Sequence, residues 1–305
     1  MKIISFGEIL FDVFVHTSVV GGAPFNFVAH MCEMGAEGYL VTAIGEDALG
    51  EDALAEMRSH GVSTELVTVS EKPTGRCLVT LDGRGVPSYD LITGAYDDTV
   101  LPSAAKEIAQ GGYDALYFGS LGQRGESAQR ALYELISLGG YREAFFDINI
   151  RQHYYSKEII ENGMKNATIL KFSREEAHVF DELGISSEKG EDLCRHLAGE
   201  YDLRQVIMTL DCDGAVLYCK QTDSFTWSPK PRARVVSTVG AGDSFCAAYL
   251  YSYLSGDSVD VSLAKATALS SYVVEHTEAI PAYSPELKKF INGELSNGNK
   301  SKKRV

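Results

Sequence analysis

The run Ser237-Thr238-Val239-Gly240-Ala241-Gly242-Asp243-Ser244 joins an apolar segment, Ala233–Val236, to an apolar helix that starts near Gly242. Glycines at a helix start let backbone N–H groups converge on an anion, and the helix dipole adds about half a positive charge there. A carboxylate just past the glycines stands beside that anion. This pattern suits phosphoryl transfer. Gly240, Ala241 and Gly242 would hold the charge developing on the transferred group, and Asp243 would take the proton of an attacking hydroxyl. The same residues also make a plain glycine turn with an acid in the first helical turn. A second candidate is Gly21-Gly22-Ala23-Pro24-Phe25-Asn26. Paired glycines permit close backbone approach to a ligand, and Pro24 starts a helix. Asn26 offers donors and acceptors suited to a polyol, and Asp12 follows the first strand, where open α/β sheets bind ligands. This run too reads as an ordinary turn and helix start.

Other chemistries lack their residues. No Gly-x-x-x-x-Gly-Lys-Ser/Thr occurs, so no lysine is built into the glycine loop, and no Gly-x-Gly-x-x-Gly closes the first βα turn. The seven histidines have no metal spacing among them. Cys32, Cys77, Cys194, Cys212, Cys219 and Cys246 form no Cys-x-x-Cys pair and read as reduced, mostly buried thiols. Trp227 is expected to be packed. Tyr249, Tyr251 and Tyr253 alternate along a helix and make no shared stacking face.

Strands and helices that position these residues follow from periodicity. Ile3–Phe6, Tyr39–Ile44, Ala115–Phe118, Phe145–Ile148, Thr168–Phe172, Val206–Leu210 and Ala215–Cys219 read as strands. Pro24–Met34, Ala48–His60, Arg174–Leu183, Gly190–Ala198 and Ser262–Val274 read as helices. The alternation predicts an α/β fold with a mostly parallel central sheet flanked by helices. Between Val62 and Tyr96 the rhythm changes to short alternating runs, Leu66–Val69, Arg76–Leu81 and Ser88–Ile92, split by turn residues. These predict an antiparallel β insertion, of the kind that often forms a lid or an interface rather than a core. No linker cuts the 305 residues, which read as one domain, 1–305, with lid segments at about 10–20 and 64–96.

The net charge of −14 opposes extended nucleic-acid binding but not a small phosphorylated ligand held by local dipoles. The basic tail Lys300, Lys302, Lys303 and Arg304 reads as a solvated end. With no membrane-length apolar run and no signal-peptide pattern, the chain is expected to be soluble and cytoplasmic.

Together, Gly21–Asn26 followed by Gly35 and Gly45, and the segment Ser237–Leu250, resemble the two signatures of the ribokinase-like (PfkB) family of carbohydrate kinases. The resemblance spans nearly the whole chain, and its wording is closest to fructokinase members. It implies an ATP- and Mg²⁺-dependent transfer to a sugar hydroxyl, with D-fructose as the expected sugar. The rival readings are 2-keto-3-deoxygluconate or another family sugar, and, from another class, an inactive sugar sensor. By resemblance Asp243 is the catalytic base and Gly240, Ala241 and Gly242 the anion hole. Asp12, Gly21, Gly22 and Asn26 contact the sugar.

The family's Asn-x-x-Glu motif falls on Ser173–Glu176, with Glu176 serving Mg²⁺ through water and Ser173 replacing Asn. The bland reading of the pair is a capping box. Asp147-Ile148-Asn149-Ile150-Arg151 resembles a strand end of sugar kinases, with alternation placing Asp147, Asn149 and Arg151 on one side. Arg151 would meet substrate or phosphate, or simply close a salt bridge. Thr209 and Gly214 resemble the nucleotide region, where Asp211 and Cys212 depart from the usual glycine. Ser237 stands where the family usually has Asp, and the run His276-Thr277-Glu278-Ala279 stands where it usually has a Gly. Both positions serve the monovalent-cation site of potassium-activated members, so K⁺ activation is expected to be weak or absent. The family's lids often pair between subunits, which makes a homodimer an expectation.

Overall fold

A computed structural model describes residues 1–13, 17–81 and 87–294. The tail Lys300–Arg304, Arg84 and parts of both expected lid segments lie outside the described residues. The first half contains strands β1 (Lys2–Phe6), β2 (Leu10–Val13), β3 (Ser18–Gly21), β4 (Glu37–Gly45), β5 (Val67–Ser70), β6 (Gly75–Leu81) and β7 (Pro87–Ile92). Helices α1 (Ala23–Glu33) and α2 (Ala48–Ser59) lie among them. There follow α3 (Ser103–Gln110), β8 (Ala115–Gly119), α4 (Glu126–Leu138), β9 (Glu143–Asp147), α5 (Lys157–Lys165) and β10 (Ile169–Ser173). Next come α6 (His178–Glu182), α7 (Gly190–Glu200), β11 (Gln205–Thr209), β12 (Ala215–Cys219) and β13 (Ser224–Ser228). The last described elements are α8 (Ala241–Leu254), α9 (Val259–Val273) and α10 (Pro285–Ile291).

Among the described residues, nine strands form one sheet in the order β13-β12-β11-β10-β9-β8-β1-β4-β5. Every neighbouring pair from β11 to β5 is parallel, and the β11–β12 and β12–β13 pairs are antiparallel. A parallel sheet needs helices on both faces, and its central strands are accordingly mostly apolar. Successive residues point to opposite faces. Tyr117, Phe145, Ile169 and Ile207 enter the core shared with α1, α8 and α9. Leu116, Phe118, Phe146, Leu170 and Val206 enter the opposite core, with α3, α4 and α7. On the first face Phe27 of α1 stacks on Tyr117 of β8 with ring centroids 3.8 Å apart. Helix α8 is buried almost all round, as its run of Phe245, Cys246, Ala247, Ala248, Tyr249 and Leu250 requires.

A separate four-stranded sheet has the order β3-β2-β6-β7. The expected strand near Leu66–Val69 belongs elsewhere: β5 pairs parallel with β4, Thr42 opposite Val67, and extends the edge of the large sheet. The insertion is not wholly antiparallel either, since β2 and β6 run parallel, with Asp12 opposite Cys77. Short alternating runs carry no partner information, so sequence cannot distinguish the two sheets. Arg124 roots the small sheet. Its guanidinium holds Asp97 at 2.6 Å and the Tyr96 hydroxyl at 2.7 Å, and reaches the Leu91 and Ile92 carbonyls.

The other departures are local. The helix expected from Arg174 begins only at His178, because Arg174–Ala177 forms turns. Trp227 is 58% exposed on edge strand β13 and donates to Glu191 at 3.0 Å. Tyr249 and Tyr253, one helical turn apart, do stack, with centroids 6.0 Å apart. The six cysteines are free, and Cys212 is exposed. No helix among the described residues is long and apolar enough to cross a membrane.

Phe27 anchors the helix that carries Asn26. Phe27→Ala should lower unfolding free energy by about 3–5 kcal/mol, the usual cost of an aromatic cavity. Urea denaturation measures it, and a loss below ~1 kcal/mol would contradict the packing described.

Candidate active site

Two helix starts meet at the site. Gly22 precedes α1 with φ +113°, and a Cβ there would stand 2.5 Å from the Glu8 carbonyl oxygen. Gly240 precedes α8 in the left-handed region, φ +76°, where a Cβ would stand 2.6 Å from the Ala279 carbonyl oxygen. Both positions therefore demand glycine. Behind Gly240, His30 holds the Ala279 segment. Its Nε2 lies 3.0 Å from the Ala279 carbonyl and its Nδ1 2.6 Å from the Tyr283 hydroxyl. Burial lowers the His30 pKa to about 4, so the ring is neutral at pH 7. The carbonyl can only accept, so Nε2 carries the hydrogen and Nδ1 accepts from Tyr283.

Asp243 lies in the first turn of α8 and is buried. Asn26, in the first turn of α1, donates Nδ2–H to Asp243 Oδ2 at 2.8 Å. One N–H of the amide expected to serve a polyol is thus spent on the carboxylate, which it orients. Asn26 Oδ1 and Glu8 Oε2 are buried and have no hydrogen-bond partner among the described residues. Burial pushes Asp243 up to about 6, and Asp147 pushes the same way. Asn26, Arg151 and Lys171 oppose the rise. Burial likewise pushes Glu8 up to about 7, with Asp243 adding to it and backbone N–H groups and Arg151 opposing. The charge of Arg151 reaches Glu8, Asp12 and Asp243 together. Asp12 sits on β2, with Oδ2 3.8 Å from a Cβ built at Gly21. Burial raises its pKa as well, against Cys77 and Arg151.

The first-turn amides of a helix have no carbonyl one turn back. At α8 the Ala241 N–H already donates to the Thr238 carbonyl at 3.3 Å, which leaves the Gly242 and Asp243 amides as the open donors of the first turn. Ala241 and Gly242 line a cleft of about 840 Å³, whose walls also include Arg151, Ser173, Glu176, Thr209 and Gly214. Ser173 and Glu176 form the reciprocal capping pair. Glu176 Oε2 accepts the Ser173 N–H at 2.7 Å, and the Glu176 N–H donates to Ser173 Oγ at 3.2 Å. Glu176 Oε1 accepts the Ile150 N–H at 2.8 Å. Among the described residues no group of three metal-ligating side chains converges.

The expected alternation through Asp147, Asn149 and Arg151 fails. Strand β9 ends at Asp147, and Asn149 turns the chain with φ +38°. Asp147 points inward instead, to Lys171 Nζ at 3.1 Å. Sequence reasoning passed over Lys171 and Glu8. For Lys171 the signal was a lysine in the apolar run Ile169–Phe172, since a buried lysine must be paired. Glu8 directly follows the first strand and Gly7, but nothing local marks it as buried.

A doubly covered α/β sheet with a carboxylate and free amides at a buried helix start defines a phosphotransferase cleft. Residues 6–286 match the pfkB family carbohydrate kinase profile, and the chain belongs to that family. Its members are ATP-dependent phosphotransferases. Aminoimidazole riboside kinase of Salmonella typhimurium is 27% identical over 76% of this chain and 72% of its own. Among solved structures, 2-dehydro-3-deoxygluconokinase of Thermotoga maritima superposes with TM-score 0.82 at 20% identity, over 96% of this chain and 99% of its own. Fructokinase of Xylella fastidiosa, solved with bound ATP, gives 0.80 at 18% identity, over 96% and 98%. At these identities the two structures show the shared ribokinase-like fold.

If Asp243 must be ionised to accept a proton, its raised pKa sets the acid limb of turnover. The rate should fall as pH drops through about 6 rather than the ordinary carboxylate range near ~4. Glu8 faces the same group, so the limb reports the pair. A kcat–pH profile flat down to about pH 5 would contradict this.

Proposed function

We propose that this carbohydrate kinase phosphorylates a neutral sugar, D-fructose. Asp243 removes the proton of the sugar hydroxyl, and the freed oxygen attacks the γ-phosphorus of ATP. The β–γ bridging P–O bond breaks, ADP leaves, and the proton stays on Asp243. The observation that carries the reading is the buried Asp243 carboxylate, fixed by Asn26 beside the open amides of α8. Glu8, Asp12 and Asp243 make the sugar side acidic, which favours hydroxyls over a carboxylate. The inactive-sensor reading gains no support, because a sensor has no use for that carboxylate.

The cleft and its amides suit a triphosphate. Glu176 would hold Mg²⁺ through water, which suits a cation that binds few carboxylates and keeps its hydration. When bound, that ion supplies charge neutralisation on the phosphates. Ser173, Thr209 and Gly214 line the nucleotide end of the cleft on this reading. Weak or absent K⁺ activation fits Ser237, which brings no carboxylate, and the Ala279 carbonyl, which His30 already engages. The small sheet acts as a lid whose closure excludes water, and its exposed Val19 and Leu78 suit pairing with a second copy.

One observation favours 2-keto-3-deoxygluconate instead: Arg151 is a cation facing the three carboxylates of the sugar side, where a substrate carboxylate would need one. ADP release with Mg-ATP, measured for fructose, ribose, tagatose and 2-keto-3-deoxygluconate, separates the two. Turnover selective for fructose, changed less than about tenfold by Arg151→Gln, is the expected result. Turnover confined to the keto-deoxy acid, and lost in Arg151→Gln, would replace fructose as the substrate.

A further inference from the structure

Lys171 is an ammonium group in the middle of a core strand. Its neighbours Ile169, Leu170 and Phe172 are fully buried, and Lys171 itself is 5% exposed. Nζ lies 3.1 and 3.4 Å from the two oxygens of Asp147. That carboxylate is shared, since it also accepts from the Tyr117 hydroxyl at 3.2 Å and Cys246 Sγ at 3.5 Å. An ammonium has three N–H donors. The two contacts to Asp147 leave at least one donor unspent, and the remaining side of Lys171 borders the cleft. There it meets the start of α8: a Cβ built on Gly242 would stand 3.5 Å from Nζ. Burial alone would weaken the ammonium, but Asp147 and Glu176 outweigh it and keep Lys171 charged.

A purely structural reading is poor physics. Apolar residues of the same volume would fill the site at equal or lower cost than a buried ion pair. A lysine held charged against the open end of an anion hole has a use only when an anion arrives.

We propose that Lys171 is a catalytic cation of this kinase. Its ammonium, held in place by Asp147, joins the Gly242 and Asp243 amides in gripping the oxygens of the phosphoryl group as it leaves ATP. The proposal rests on the reading of the α8 start as the phosphate site. The glycine loop carries no lysine of its own, and the fold supplies one from β10. Asp147 is a positioning residue in this account.

The test compares the wild type with Lys171→Met and with Lys171→Met/Asp147→Asn. The double variant removes the carboxylate that the single one would strand. Readouts are melting temperature, kcat and sugar KM, and the dissociation constants of Mg-ATP and Mg-ADP by calorimetry. The wild type should bind Mg-ATP more tightly than Mg-ADP. The double variant should melt near the wild type, lose that preference, and turn over at least ~10²-fold more slowly, the usual loss for one transition-state donor. Its sugar KM should stay within about threefold. A folded double variant that keeps both turnover within about threefold and the ATP preference overturns the proposal, as does a wild type with no preference. If no sugar of the panel is turned over, the substrate reading fails, while the nucleotide preference still decides the role of Lys171.

Discussion

The site hangs on one hydrogen bond, from Asn26 Nδ2 to Asp243 Oδ2, 2.8 Å long and 217 residues apart in sequence. It ties the first turn of α1 to the first turn of α8. Each helix reaches that meeting only because a positive-φ glycine turns the chain into it. Burying a carboxylate is costly unless hydrogen bonds and opposite charge compensate. Asn26 supplies the bond, and Arg151 and Lys171 supply the charge. Compensation is partial, which leaves Asp243 a better proton acceptor than an exposed aspartate.

A net charge of −14 would repel a triphosphate from much of the surface. If phosphates bind at the α8 start, as proposed, the cleft answers locally with the α8 amides and the Lys171 ammonium. The carboxylates of Asp12, Glu8 and Asp243 gather within reach of Arg151, on the side proposed for the sugar. Arg151 stands between the two sets. On the proposed reaction, the two halves meet at Asp243.

The parts legible in the sequence were those governed by local chemistry. Gly22 and Gly240 announce helix starts, Pro24 and Asp243 sit in first turns, and the apolar strand runs mark a covered parallel sheet. What stayed hidden depends on partners distant in the chain. Lys171 gains its meaning from Asp147, 24 residues away, and from Gly242 across the cleft. The strand Val67–Ser70 has nothing in its composition to say that it lies beside β4. Asn149 breaks an alternation that would have aligned three polar residues, because the chain turns there rather than extending. Trp227 lies on edge strand β13, where it reaches Glu191 of α7 by hydrogen bond and stays 58% exposed.

The central claim is that Asp243 is the base, and Asp243→Asn tests it most directly. The amide is nearly isosteric and keeps a hydrogen-bonding partner for Asn26, so the fold and nucleotide affinity should survive. Turnover of the sugar should fall by at least ~10²-fold, within the range that general-base catalysis supplies. A folded Asp243→Asn variant that phosphorylates its sugar at close to the wild-type rate would contradict the account.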